Sequence, residues 1–140
     1  MMPPFRNRLV SLILLTLLTA SCEHVGPLER IPLEPTLTSI QANIFSTNCA
    51  LSGCHAGAAP QQGMNLSEGQ AHANVVNVRS RERPDLFRVA PGSPDSSYLF
   101  LKITGAPGIV GERMPRGRAP LSAEQISAVR QWIADDALDN

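Results

Sequence analysis

An excess of charge of either sign is missing from this chain, in which twelve Lys and Arg residues balance twelve Asp and Glu over 140 positions. That balance excludes a nucleic-acid binder working through bulk positive charge, because such proteins gain affinity by neutralising phosphates with a cationic excess. Aromatic residues are scarce too, at 4% with one Trp and one Tyr. Together with twelve prolines and ten glycines, this scarcity predicts a loop-rich domain short of large core side chains, a gap that a bound cofactor would fill. No segment repeats, and no glycine-rich phosphate loop, Ser/His/Asp set or carboxylate pair points to hydrolysis. The apolar run Leu9–Leu18 has ten residues, about half of what a membrane-spanning helix needs. What is present, 43% hydrophobic and 17% charged residues, is the composition of a folded chain rather than a disordered one, and the length favours one domain.

Arg6 and Arg8 precede the apolar run as a positive n-region, and the small residues Thr19, Ala20 and Ser21 follow it. This is the layout of an export signal. The stretch Leu-Leu-Thr-Ala-Ser-Cys that ends at Cys22 resembles the lipobox of bacterial lipoproteins, with Thr19 where Leu is usual. The resemblance implies that residues 1–21 are removed and that Cys22 becomes the acylated first residue, held to a cell-envelope membrane by acyl chains rather than by a helix. The alternative is an ordinary cleavage site that leaves Cys22 a free thiol. Removing residues 1–21 takes away two arginines and no acid, so the mature charge is about −2, too small to select a partner by long-range steering. Residues 22–35 hold three prolines and no periodic apolar pattern. They read as an extended tether, which puts the folded domain at residues 36–140.

Export exposes the two remaining cysteines to an oxidising compartment, where a Cys49–Cys54 disulfide with His55 on the surface is one outcome. A zinc site completed by His72 or His24 is another. The segment Cys49-Ala-Leu-Ser-Gly-Cys54-His55 carries a third. A His directly after the second of two nearby cysteines is the arrangement of covalent haem attachment, and here the chain resembles the c-type cytochromes. Four residues separate the cysteines instead of the commoner two, a variant within that family. The resemblance implies thioethers from Cys49 and Cys54 to one haem c, with the His55 imidazole on iron. It also implies that Cys49 stands at the end of an N-terminal helix. Ile40, Ile44 and Phe45 are at helical spacing in Ser39–Phe45, with Thr38 or Ser39 as cap.

A second axial ligand belongs far downstream, because the chain must pass round the edge of the group to reach its other face. Met114 lies 59 residues after His55, among glycines, prolines and arginines and directly before Pro115, a poor setting for a core methionine. By resemblance to the His/Met cytochromes it takes the ligand role; packing on the haem without ligation is the alternative, and Met64 reads as a packing residue. Arg113, Arg116 and Arg118 flank Met114, where they could pair with haem propionates or with the acids of a partner. Arg116 and Arg118 are favoured over the Arg79–Arg83 cluster, which reads as a solvated loop.

The remaining elements are helical. Ser67 caps a short helix reaching Val76, with Leu66, Ala71, Val75 and Val76 inward. Ser93-Pro94-Asp95 opens another through Tyr98, Leu99 and about Lys102. Ser122 and Gln125 form a capping box before a stripe of Leu121, Ile126, Val129, Ile133 and Ala137, with Trp132 on its edge. The expected fold class is therefore all-α, and the order of elements resembles the small monohaem cytochrome domain wrapped around its cofactor. That resemblance implies an electron-transfer protein rather than an enzyme, working with redox partner proteins at the cell envelope and not with nucleic acid. Two alternatives stand beside it. One is a haem-based sensor in which Met114 yields to a small ligand; the other is a haem-free structural lipoprotein with a Cys49–Cys54 disulfide.

Overall fold

Thr36 caps the first helix, two or three residues before the Thr38 or Ser39 cap that the sequence predicts. In the computed structural model, which describes residues 33–140, its hydroxyl accepts from the Ser39 N–H at 3.2 Å. The helix that follows, α1 (Leu37–Ile40), has its other free N–H groups met from the far end of the chain. Leu37 donates to Asn140 Oδ1 (2.9 Å) and Thr38 to Asn140 O (2.8 Å), which answers the unsatisfied donors every helix start carries. Beyond Ile40 the helix widens into a π-helix over Gln41–Cys49, closed by the Ala50 N–H on Phe45 O at 2.7 Å. Asn43 and Thr47 bond back to the carbonyls of Ser39 and Asn43, the competition by side chains that loosens a regular helix. Its buried face carries Gln41, Ile44 and Phe45, and Cys49 is its last residue.

Three more helices follow: α2 (Ala71–Val75), α3 (Tyr98–Thr104) and α4 (Ala123–Ala134). Among the described residues no strand forms; isolated bridges pair Val76 with Val89, Arg79 with Phe87 and Phe87 with Ser97. The all-α class holds at this level. Helix α2 is shorter than the Ser67 cap predicts, because residues 67–70 form a closed turn, with the Gln70 N–H on Ser67 O, and Ser67 caps nothing. The Ser93-Pro94 start gives only a 3-10 turn (Pro94–Ser96). Ser97 breaks it from α3 by donating to Ser93 O and accepting from the Ala90 N–H, both at 2.9 Å. Helix α3 ends at Gly105, whose left-handed φ of 69° lets the Ala106 N–H return to Leu101 O, a common helix stop.

Both bonds of the Ser122–Gln125 capping box are made at the start of α4. Its inward face buries Val129, Ile133 and Trp132 at 1% exposure or less, so Trp132 lies within the core rather than on the stripe's edge. Its indole N–H donates to Leu138 O (2.8 Å). Helices α1 and α4 pack together, as do α3 and α4. One core cluster joins Ile40, Ile44 and Phe45 to Val75, Val89, Leu99, Val129 and Ile133. Leu33 also packs against that cluster. The signal at residues 1–21, Cys22, His24 and the tether as far as residue 32 lie outside the described residues. Among the described residues no helix is long and apolar enough to cross a membrane.

Candidate functional site

The π-helix delivers Cys49, and the chain then turns back on itself. The Cys54 N–H donates to Leu51 O (2.9 Å), the His55 N–H to Cys49 O (3.2 Å), and the Leu66 N–H to His55 O (2.8 Å). His55 is thus fixed by its main chain on both sides without a covalent cross-link. Cys49 and Cys54 are free thiols, the first half-buried and the second exposed. Met114 arrives on the long loop after α3, where its N–H donates to Lys102 O at 2.9 Å; the Met114–Pro115 peptide bond is cis.

These four side chains line one cavity of about 430 Å³, within the roughly 300–1,000 Å³ of small-molecule and cofactor sites. Ile44 and Phe45 of the π-helix, Leu99 and Ile103 of α3, Val129 of α4, and Leu66 and Leu121 make its apolar wall. Met64 also lines it, and its side chain packs against the core.

His55 Nδ1 lies 3.3 Å from Met64 O. A carbonyl only accepts, so the proton sits on Nδ1 and the Nε2 lone pair is left free, which is how a metal-binding imidazole is oriented and made more basic. Burial holds the imidazole below the ordinary histidine value, with Arg88 adding to the effect, against the opposing carbonyls of Met64 and Gln61. The ring is therefore neutral at pH 7, as ligation requires. Burial, with the neighbouring Cys54, pushes the Cys49 thiol up to about 12, and nearby Arg118 opposes that rise. A thiol so protonated is a poor nucleophile in its own right.

Arg81, Arg88, Lys102, Arg116 and Arg118 line the cavity with a single acid, Glu82. This concentration of positive charge is invisible in the balanced totals. Arg116 and Arg118 are where their flanking positions predict, but Arg113 is turned away, with its aliphatic stem against Gly105. The Arg79–Arg83 segment is more than a solvated loop. Arg81 reaches the cavity, and Glu82 accepts from the Tyr98 hydroxyl (2.8 Å) and from Lys102 Nζ (3.2 Å). Lys102 Nζ also donates to Val110 O (2.7 Å). Sequence reasoning missed this trio, the Met64 carbonyl and Arg88; only Lys102, a lone charge in the apolar run Tyr98–Ile103, hinted at the first.

His72 serves the fold: its Nε2 lies 2.9 Å from Ala137 O, tying α2 to the C-terminal segment. Among the described residues no group of three His, Cys, Asp or Glu converges to hold a metal ion. Compared with known proteins, the chain matches no family model, no curated protein and no solved structure.

Proposed function

We propose that this chain is a small monohaem c-type cytochrome that transfers electrons, tethered to a cell-envelope membrane through a lipid on Cys22. The observation that carries it is the meeting of Cys49, Cys54, His55 and Met114 in one apolar-walled cavity, although Met114 is 59 residues from His55 in sequence. The donor set suits a haem: two thiols beside a neutral imidazole with a free Nε2, and a soft thioether that favours ferrous iron. Five cations against one acid in the lining also suit a group that carries two carboxylates.

When bound, a haem supplies an iron that gains and loses one electron; the rest falls to the chain. Cys49 and Cys54 would hold the group by thioethers. His55 would present Nε2, steered by the Met64 carbonyl, and Met114 its sulfur. With His55 and Met114 both given to the iron, the chain would leave no open place for substrate chemistry, which is why the reading is electron transfer rather than an enzyme. The apolar wall would keep water from the bound group and so limit reorganisation on a change of its charge. Redox partner proteins of the cell envelope are the expected donors and acceptors.

The test is a pyridine haemochrome assay with intact mass on the mature chain, produced alongside a cytochrome c assembly system. One covalent haem per chain is expected, lost in the Cys49→Ala, Cys54→Ala double variant. Met114→Ala should keep the haem and lose the far-red methionine–iron charge-transfer band. A chain that gains no covalent mass despite competent assembly overturns the proposal. A second reading, a sensor in which Met114 yields to a small ligand, draws on a cleft of about 250 Å³ beside Met114 that shares Glu82, Lys102 and Arg116 with the main cavity. Binding of CO by the wild-type ferrous protein would favour it.

A further inference from the structure

Arg88 is a buried cation without an acid. The residue is only 6% exposed, yet none of the four ion pairs among the described residues includes it. A charge in that position is costly unless its hydrogen bonds are met. Main-chain carbonyls meet them. Nη2 donates to Gln62 O (2.7 Å), and Nη1 donates to Asn74 O (2.7 Å) and, at longer range, to Gly63 O (3.4 Å). Arg88 is itself held at its backbone, its N–H donating to Val78 O (2.7 Å) and its carbonyl accepting from Leu99 (2.9 Å).

The segment it grips needs an external restraint. Gln62 and Gly63 are successive left-handed residues, at φ 56° and 60°, and a residue with a Cβ such as Gln62 takes that conformation only where its surroundings impose it. The next residue is Met64, whose carbonyl faces His55 Nδ1. On the other side, the Asn65 N–H donates to Asn74 Oδ1 (3.2 Å). The Met64 carbonyl therefore sits between two fastened neighbours; Glu82 also accepts from the Gln62 side chain (3.4 Å), but Arg88 is the charged group bound to the main-chain carbonyls of the turn.

We propose that Arg88 is a positioning residue for His55: its guanidinium fixes the Gln62–Gly63 turn and thereby holds the Met64 carbonyl on the imidazole Nδ1–H. The planar fork places a separate nitrogen on each of two segments in a fixed geometry, which the single ammonium of a lysine does not reproduce. The placement of His55 stands on the geometry alone; its effect on an iron centre rests on the haem proposal above. Through that centre, Arg88 tunes how strongly the imidazole donates, because an Nδ1–H bound to a carbonyl raises the basicity of Nε2.

The test uses the ferrous, diamagnetic haem-loaded chain with 15N-labelled histidine and measures solvent exchange of the His55 Nδ1 proton. Arg88→Lys and Arg88→Met should each accelerate it at least tenfold. Arg88→Lys, which keeps the charge but not the fork, should also shift the reduction potential upward, since a weaker donor stabilises ferric iron less. Ser122→Ala, a destabilising change at the distant α4 cap, should alter neither readout. Variants that lose thermal stability but keep wild-type exchange and potential make Arg88 merely structural and overturn the proposal. If Arg88→Met fails to fold, Arg88→Lys decides. If the chain takes up no haem, it is the cytochrome reading that falls, and the same exchange measurement on the unloaded chain decides the role of Arg88.

Discussion

The two sides of the cavity are built by different means. On the imidazole side, the main chain between Cys49 and Leu66 makes seven bonds, donated by Ala50, Cys54, His55, Gln61, Gly63, Met64 and Leu66. On the methionine side, the Met114 N–H on Lys102 O is the one main-chain bond made by residues 107–121. Side chains do the rest: Lys102 on Val110 O, the Tyr98 hydroxyl on the Val110 N–H, and Arg83 on Gly108 O. A wall fastened by its backbone tolerates side-chain replacement, since the bonds belong to every residue type. A wall fastened by three particular side chains does not. His55 is thus the durable ligand of the proposed pair, and Met114 the one whose position substitution can alter without touching the sulfur.

The largest effect expected tests depth within the imidazole wall. With its thiol pushed up to about 12 against an ordinary value near 8.5, Cys49 in the unloaded folded chain should alkylate roughly a thousandfold more slowly than a free thiol at pH 8. Mass spectrometry of iodoacetamide-treated protein, read before and after unfolding in urea, checks this; equal labelling of Cys49 in both states contradicts it. Next in size, Trp132→Ala removes a side chain 1% exposed from the core on which both walls rest, and should cost about 3–5 kcal/mol in urea unfolding. It should weaken the two sides alike. Selective loss of the methionine charge-transfer band in this variant would break the contrast between them.

Lys102→Met sharpens that contrast. It strips the donor from Val110 O and leaves Glu82, at 20% side-chain exposure, without its cation; the expected cost is about 2 kcal/mol. The haem content should stay at wild type while the charge-transfer band weakens, because the main-chain carbonyl this nitrogen holds belongs to the methionine wall. A variant that instead fails to attach haem shows that the two walls are not separable.

How much of this was legible in the sequence depended on how local each signal is. The α4 start was fully legible, since Ser122 and Gln125 satisfy each other within one turn. The same reasoning misplaced the first cap, because Thr36, Thr38 and Ser39 all offer a hydroxyl and only the distant Asn140 decides among them. The π-helix left no trace, as Ile40, Ile44 and Phe45 share a face in either geometry over so short a span. Ser93 looked like a cap because Pro94 and Asp95 follow it, yet Asp95 is engaged by Arg130 (2.9 Å) and Ser97 interrupts the turn. At the candidate site, Cys49, Cys54, His55 and Met114 could be singled out because the proposed chemistry attaches to their side chains. The Met64 carbonyl was not, since every residue has one, and Arg88 acts on Gln62, 26 positions away.

The smallest effect expected is a pH dependence, and its sign follows from burial. His55 in the folded, unloaded chain sits below its unfolded value, near 6.5, because burial opposes the charged ring more than the Met64 and Gln61 carbonyls support it. The unfolded state therefore binds the proton first. Stability from this group is complete above about pH 6.5 and declines as pH falls towards and through the lowered folded value. One fully coupled proton would give a slope of roughly 1.4 kcal/mol per pH unit, and a half-buried, partly screened ring gives well under that. Urea unfolding between pH 7.5 and 5 should show the decline in the wild type and its loss in His55→Gln, which fills the same place with a group that does not titrate. An identical decline in both would assign it to other residues and remove the reason for regarding the imidazole wall as built around a neutral ring.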